Sequence, residues 1–277
     1  MIIVNGDFFS DVSYLSKDLL NCFIHNSVYK FDFRLEKNKV LFFEESFFEM
    51  MSHLRRLRLQ IPMYFSIEYF NSKFQKLISK KSSGCHIINL NFALEPHRSF
   101  DNKESELLTL FSINDVESIL TLKKGIKISL FKDFKINKNE LSSLLNNSRL
   151  IRLAKLDAFE NSYDDNVILN DKNQVTRSAY GNIILFKNKT IITPLISDGA
   201  PSNYLVKPFI DYLEKNKFKC IEKSFSIFDL QTADSIGIMS INQGLINVEM
   251  FKKKQFNKSI FIDLFSSFIN DEILKNS

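Results

Sequence analysis

The sequence predicts an α+β protein with two domains. Its length of 277 residues corresponds to two domains at about 150 residues per domain. Hydrophobic residues make up 44% and charged residues 25% of the chain, a globular composition that excludes a disordered or collagen-like protein. Short apolar runs typical of strands alternate with segments whose apolar residues recur every three to four positions. We place an N-terminal α+β domain at residues 1–115 and a C-terminal α+β domain at residues 116–277.

The N-terminal half begins with a predicted hairpin. Residues 2–4 have the composition of a strand, and Asn5-Gly6-Asp7 is a turn sequence. Ser66 is placed to cap a helix, because its side chain can accept a hydrogen bond from the first turn. The other elements predicted in this half are strands over 28–33 and 40–43 around a turn at 36–39, a helix over 45–60 ended by Pro62, and strands over 87–92 and 107–112.

A polar, turn-prone stretch at residues 112–118 is predicted to link the two domains. Strands and helices alternate again after it, so the second half is also predicted to be α+β. The elements predicted there are strands over 126–131, 166–169, 183–186, 190–193, 219–222 and 235–240, helices over 150–159 and 202–215, and a capped segment at 226–229.

The cysteines and histidines indicate a protein without disulfides or metal. Cys22, Cys85 and Cys220 are odd in number and far apart, which favours a reducing compartment and excludes a zinc ribbon. The start of the chain lacks the pattern of a signal peptide, and no apolar run reaches the roughly 18–20 residues of a membrane helix. We therefore expect a soluble, cytoplasmic protein with no metal site and no membrane partner.

The positive charge of the chain is too dispersed to predict nucleic-acid binding. The net charge is +5, whereas a nucleic-acid site requires a concentrated basic stripe. The densest cluster is His53-Leu54-Arg55-Arg56-Leu57-Arg58. Its leucines lie at helical spacing, so a solvated helix face is the favoured interpretation, and nucleic-acid association is a weaker alternative. We expect no nucleic-acid partner.

Several motifs, in one order along nearly the whole chain, resemble the class IV aminotransferases. These are pyridoxal-phosphate (PLP) enzymes of fold type IV, and they include branched-chain and D-amino acid aminotransferases and aminodeoxychorismate lyase. The resemblance implies a two-domain architecture like that of D-amino acid aminotransferase, and a homodimer. The residues that carry it are Val4-Asn5-Gly6, 39–45, 54–57, Ile61-Pro62, 153–158, 164–171, 181–186, Ile192-Thr193-Pro194, Glu222, Asp229-Leu230 and Ala233-Asp234.

The active-site positions depart from the family pattern. The resemblance implies a lysine about 20 residues before Asp165 that holds PLP as a Schiff base, and that position is Leu145. Leucine has no amine with which to form the bond. The family's glutamate beside the pyridine nitrogen corresponds to Arg177, and its first phosphate-binding arginine corresponds to Glu49. Both substitutions reverse the sign of the side-chain charge.

The remaining parts of the former cofactor pocket depart in the same way. The family's glycine-bearing phosphate loop corresponds to a segment with Asn203 and Tyr204. The family's phosphate-binding strand threonine corresponds to Met239 or Ser240, of which only Ser240 has a hydroxyl. The chain has only 7 glycines, and glycine-rich loops are what let a backbone approach phosphate closely.

These departures predict a pseudoenzyme of the class IV aminotransferase family, with no catalytic residue and no expected cofactor. It would act by binding a protein partner or a ligand other than PLP. The charges of Glu49 and Arg177 predict a ligand with the reverse charge order of PLP. The alternative is an active PLP-dependent aminotransferase or aminodeoxychorismate lyase that uses a non-standard lysine, for which Lys138 and Lys155 are the nearest candidates.

Overall fold

A computed structural model describes residues 1–81, 84–95, 106–139, 141–144, 148–256 and 259–275. The chain divides into two compact units, Met1–Ser118 and Ile119–Leu274. Each unit combines helices with one sheet, so the predicted α+β class is confirmed. No described helix has the length and apolar character needed to cross a membrane.

The first unit is built on a six-stranded sheet in which every described pair of neighbouring strands is antiparallel. Its strand order is β2-β1-β6-β5-β3-β4. The strands are β1 Ile2–Val4, β2 Asp7–Phe9, β3 Ser27–Glu36, β4 Lys39–Val40, β5 His86–Leu94 and β6 Leu107–Asp115, and the helices are α1 Lys17–His25, α2 Phe43–Arg56 and α3 Ile67–Ile78.

Local turn and cap chemistry sets the bounds of these elements. Asn5 and Gly6 have φ of 48° and 96° and make the predicted turn between β1 and β2. The Ser66 side chain accepts the Tyr69 N–H at 3.2 Å, which confirms the predicted cap of α3. The predicted end of α2 near residue 60 is wrong, because Arg58 has a φ of 55° and a left-handed residue stops an α-helix.

The predicted linker at 112–118 is wrong in its first half. Ser112 and Asn114 belong to β6, where they pair with Asn89 and Ile87 of β5. Polar residues suit this strand because side chains alternate between the two faces of a sheet. The Asn114 side chain donates to the side chain of Asn89 at 2.5 Å, so these residues form an ordered polar face.

Phenylalanine rings fill the core of the first unit. Phe33 of β3 and Phe74 of α3 are fully buried, with ring centroids 4.8 Å apart. The ring centroids of Phe70 and Phe111 lie 6.2 Å from that of Phe74 and 5.8 Å from each other. Tilted and edge-to-face ring pairs of this kind contribute stability beyond the apolar area that they bury. Part of the 28 phenylalanines of the chain therefore has a structural role.

The second unit is built on a nine-stranded mixed sheet, in the order β12-β11-β10-β13-β14-β7-β8-β9, with β15 paired to β14. The strands are β7 Ile126–Leu130, β8 Asp165–Leu169, β9 Val175–Ser178, β10 Asn182–Lys187, β11 Thr190–Thr193, β12 Lys219–Glu222, β13 Ser235–Ser240, β14 Gly244–Phe251 and β15 Lys254–Gln255, and the helices are α4 Ser148–Glu160, α5 Val206–Lys215, α6 Ile227–Thr232 and α7 Phe261–Lys275.

The aliphatic core of the second unit lies along β8, β10, β13 and β14. Val167, Ile183, Ile238 and Val248 are fully buried within it. The predicted helix over 202–215 starts later, at Val206, because Asn203 caps the turn before it by accepting the Leu205 N–H at 3.0 Å. The sequence did not predict five elements, which are α1, β9, β14, β15 and α7.

We expect Phe74→Ala to reduce the free energy of unfolding by about 3–5 kcal/mol, because it empties the centre of the aromatic core. Phe48→Ala is the matched control, since Phe48 lies on α2 with 59% of its surface exposed, and its loss should be below about 1 kcal/mol. Urea unfolding followed by circular dichroism measures both, as the chain has no tryptophan. Equal losses in the two variants would contradict this account of the core.

Candidate functional site

The structure distributes the predicted pocket residues over both units. Glu49 lies on α2 of the first unit. Arg177 on β9, Asn203 and Tyr204 before α5, and Ser240 at the end of β13 lie in the second unit. Leu145 lies outside the described residues. The site is therefore described in the second unit, and the surroundings of Glu49 are described separately.

Arg177 is a buried cation. Only 9% of its surface is exposed, and its Nε donates to the backbone oxygen of Ser178 at 3.0 Å. Burial lowers the pKa of its guanidinium to about 10, and the Asp165 carboxylate acts in the opposite direction. Arg177 is thus still cationic at neutral pH, with its charge balanced by a carboxylate of the same unit.

Asp165, at the start of β8, is the carboxylate whose charge raises the pKa of Arg177. It is fully buried and accepts the backbone N–H of Asn166 at 2.8 Å and that of Tyr180 at 3.2 Å. Burial raises its pKa to about 6, although hydrogen bonds, chiefly from Ser178, and the charge of Lys155 lower it. Asp165 therefore holds the turn between β9 and β10 against the start of β8. The sequence motif around Asp165 was recognised, but this electrostatic role was not.

Side-chain amides join the segment before α5 to the sheet. The Asn203 amide donates to the Asn182 side chain at 3.1 Å and to the Met239 backbone oxygen at 3.3 Å. The Asn182 amide donates in turn to the Pro201 backbone oxygen at 2.7 Å. These amides bind protein atoms, at the place where the resemblance implies a phosphate loop. Tyr204, with 2% of its surface exposed, and Ser240, with 7%, flank these segments in the core.

Gly181 allows the close contact on which this arrangement depends. A Cβ atom at this position would lie 2.1 Å from the Met239 backbone oxygen, well inside van der Waals contact. The loop between β9 and β10 therefore packs directly against the end of β13. The few glycines of the chain include one that serves packing here.

The two lysines nearest to the predicted Schiff-base position have other partners. The Lys138 ammonium lies 2.8 Å from a carboxylate oxygen of Asp198, which is fully buried. The Ser224 hydroxyl donates to the other oxygen of this carboxylate. The Lys155 ammonium lies 4.6 Å from the centre of the Tyr180 ring, a cation–π contact at the surface. Both ammonium groups are held within the second unit.

Glu49 lies one helical turn before a buried pair that the sequence did not reveal. The Tyr29 hydroxyl is hydrogen-bonded to Nδ1 of His53, and the two rings meet edge to face. Burial, followed by the charge of Arg56, lowers the pKa of His53 to about 4. Burial also raises the pKa of Tyr29 above its usual range, and the Glu49 charge adds to this. Both groups are neutral at pH 7, so they add no positive charge beside Glu49.

These residues do not suit PLP. A protonated pyridine nitrogen is stabilised by an anion, whereas the resemblance assigns that place to the cationic Arg177. The carboxylate of Glu49 repels phosphate, and its neighbours Tyr29 and His53 are neutral. The amide of Asn203 is already bonded to protein oxygen atoms. At the positions that the resemblance assigns, these side chains therefore offer no support for PLP chemistry.

The described part of the chain bears on two other kinds of site, for a metal ion and for nucleic acid. No group of histidine, cysteine and acidic side chains among the described residues could hold a metal ion. Arg55 and Arg56 lie in the last turn of α2, where cations stabilise the negative end of the helix dipole. This position gives the basic cluster a structural explanation without nucleic acid.

We expect Asp165→Asn to remove a pH dependence of stability. Burial raises the pKa of Asp165 from its ordinary value of 3.8 to about 6 in the folded chain, so its ionisation opposes folding as pH rises from about 4 to 7. The free energy of unfolding of the wild type, relative to Asp165→Asn, should fall by up to about 3 kcal/mol over this range. The exposed Asp171→Asn is the control. A flat difference between wild type and Asp165→Asn would refute the raised pKa.

The sequence model of the Amino-transferase class IV family matches residues 33–249. The structure resembles a branched-chain aminotransferase from the archaeon Thermoproteus uzoniensis, with a TM-score of 0.81, 14% identity, and coverage of 99% of this chain and 95% of that chain. The structure also resembles a branched-chain amino acid aminotransferase from Escherichia coli, with a TM-score of 0.82, 15% identity, and coverage of 97% of this chain and 93% of that chain. A putative 4-amino-4-deoxychorismate lyase from Legionella pneumophila has a TM-score of 0.79 and 18% identity, with coverage of 95% of this chain and 96% of that chain.

No protein among the curated sequences matches this chain significantly. The structural likeness to these solved structures shows a shared fold in spite of the low sequence identities. This fold is the predicted fold type IV architecture. The family match spans most of the chain and both units. The resemblance drawn from the sequence motifs is therefore confirmed, and the chain belongs to the class IV aminotransferase family.

Proposed function

We propose that this chain is a non-catalytic class IV aminotransferase homologue that binds a protein partner or a ligand other than PLP. The observation that carries the proposal is the buried cation of Arg177, at the position that the resemblance assigns to the glutamate beside the pyridine nitrogen. Like charges about 4 Å apart repel by about 4 kcal/mol at an effective dielectric constant near 20. A protonated pyridine ring beside Arg177 would meet repulsion of this order.

The charge of Arg177 has a structural explanation within the second unit. Asp165 is fully buried, and a buried carboxylate is strongly destabilising unless a cation or hydrogen bonds compensate it. The charge of Lys155 and hydrogen bonds from Ser178 and backbone N–H groups compensate Asp165, and Asp165 in turn raises the pKa of Arg177. This environment within the fold is an alternative to a ligand of reversed charge at this position.

The lysine chemistry also supports a non-catalytic role. A Schiff base requires a free amine as nucleophile. The position that the resemblance assigns to this amine is Leu145. The ammonium group of Lys138 is engaged by Asp198, and that of Lys155 by the Tyr180 ring.

We also propose a homodimer in the cytoplasm. Members of this family are typically dimeric. The free thiols of Cys22, Cys85 and Cys220 suit a reducing compartment. Light scattering of the purified chain measures the mass in solution, and a monomeric mass would contradict the dimer.

The competing function is an active PLP-dependent aminotransferase or lyase, and the likeness to structures named as such enzymes favours it. Absorbance separates the two. We expect the purified chain, incubated with PLP, to show no protein-bound band at about 400–430 nm, where a PLP imine absorbs. Borohydride treatment followed by mass spectrometry should find no lysine adduct.

The matched control restores the family residues in one variant, Glu49→Arg with Leu145→Lys and Arg177→Glu. A gain of the imine band in this variant alone would support the assignment of the three positions. A band in the wild type, with one modified lysine, would establish the competing function. Lys138→Arg and Lys155→Arg would then identify which lysine is involved.

A further inference from the structure

Helix α4 exposes a row of apolar side chains. Leu153, Leu156 and Phe159 are 36%, 44% and 79% exposed. Their spacing of three residues places them on one side of the helix. Among the described residues, α4 is the only α-helix that exposes more than one large hydrophobic side chain. We call this row, together with the exposed Arg152 and Glu160 beside it, the α4 outer face.

The α4 outer face is not needed to attach the helix to its own unit. Leu150 and Ala154 are buried on the opposite side and pack in a cluster with Phe131 and Ile168. Ala158, one turn further along, is fully buried. The helix therefore already has a complete inner stripe at a spacing of four residues. A second apolar row facing water is the kind of feature that marks an interaction site.

The last turn of α4 has a charge without a counterpart in its own unit. Glu160 lies at the negative end of the helix dipole, and no basic residue lies in this turn. Helices α1, α2, α3 and α7 each have a basic residue in the last turn. Among the described residues, neither Glu160 nor Arg152 forms an ion pair. A cation from outside the chain beside Glu160 would offset the repulsion from the dipole.

The α4 outer face is complementary to a second copy of itself. In an antiparallel pair whose two-fold axis passes beside Leu156, residues equally far from Leu156 on either side lie at the same level of the two helices. Leu156 then meets its own copy, and Leu153 lies level with Phe159 of the second copy. Arg152 and Glu160, each about one helical turn from Leu156, are brought to the same level with opposite charges.

We propose that this chain pairs with a second copy of itself through the α4 outer face, in an antiparallel two-fold contact centred on Leu156. The apolar row forms the centre of the contact. Two ion pairs between Arg152 and Glu160, related by the symmetry axis, lie beside it, which is the apolar core and polar rim found in protein interfaces. The inference rests on the homodimer of the proposed function and names the surface that forms it.

Charge favours this arrangement over a parallel one. A parallel pair would set Arg149 and Arg152 beside their own copies, where like charges repel. The antiparallel pair replaces this repulsion with attraction, and it brings Arg152 of the second copy to the Glu160 end of the helix. The opposed helix dipoles also attract each other in this orientation. The face therefore needs no charge from its partner that this chain does not itself carry.

The apolar row is the centre of the contact and not its whole extent. A stable dimer interface buries about 800 Å² on each copy, which is more than three side chains supply. Residues beside α4 must therefore contribute area. Phe159 is the large aromatic anchor of the kind that dominates binding energy in interfaces, so its loss should have the largest single effect.

The test measures association of the full chain by analytical ultracentrifugation over a range of concentrations. We expect Phe159→Ser to raise the dissociation constant about tenfold or more. The mass at a fixed concentration then falls by half, whether or not the chain also pairs through another surface. The control variant is Ile24→Ser, which removes an exposed apolar side chain from α1 and should leave the association unchanged. Circular dichroism confirms that each variant is folded.

Charge reversal tests the register of the pair. Arg152→Glu alone and Glu160→Arg alone each place like charges at the same level twice, so each should also weaken self-association about tenfold or more. A mixture of these two variants should associate again, because each level then joins a glutamate of one variant to an arginine of the other. Loss of structure within a single chain could not be repaired by mixing.

A mass that Phe159→Ser leaves unchanged would overturn the proposal, and so would a mixture that fails to associate. Anionic vesicles that bind the wild type but not Arg152→Glu, with no change of mass in solution, would overturn it in favour of a membrane surface.

The same measurements separate this inference from the proposed function. A dimer that is insensitive to all these variants would refute the α4 contact and leave the homodimer intact, whereas a monomeric wild type would refute both. A PLP imine band in a chain that pairs through α4 would refute the non-catalytic role alone.

Discussion

The burial of two opposite charges, Arg177 and Asp165, is the constraint on which the second unit depends. Both side chains are buried, and a charge removed from water destabilises the fold unless an opposite charge and hydrogen bonds compensate it. Asp165 fixes the turn through Tyr180, and Arg177 binds the backbone at Ser178. The sheet edge formed by β8 and β9 thus buries two opposite charges, each bonded to backbone groups of the same unit.

Other polar side chains of the second unit also bind atoms of that unit. The amides of Asn182 and Asn203 bind backbone oxygen atoms and each other, and Asp198 holds Lys138 and Ser224. Groups that bind a ligand must be left unpaired until it arrives, and buried unpaired groups are costly. These amides, Asp198 and Lys138 are therefore bonded to atoms of the second unit itself.

The sequence predicted the features that depend on residues close together in the chain. It did not predict those that depend on contacts between distant residues. The bounds of β11, β12 and β13 and the Ser66 cap follow from apolar runs and cap chemistry within a few residues. Strand β9 was missed because Thr176, Arg177 and Ser178 are polar, and their burial depends on neighbouring strands. Spacing within the family motifs identified Arg177 and Glu49 as candidate pocket residues. It did not reveal the electrostatic role of Asp165 or the Tyr29–His53 pair, because these interactions join separate strands and helices.

Departures from local rules carry different meanings in the interior and at the surface. In the interior, the charge of Arg177 breaks the rule against buried ions, and the Asp165 carboxylate opposes the effect of that burial on its pKa. At the surface, neither end of α4 has the charge that the helix dipole favours, and Leu156 and Phe159 are exposed. Because sequences specify folds by agreement between levels, the interior departure is explained by its neighbours, whereas the fold of this unit does not require the one at the surface.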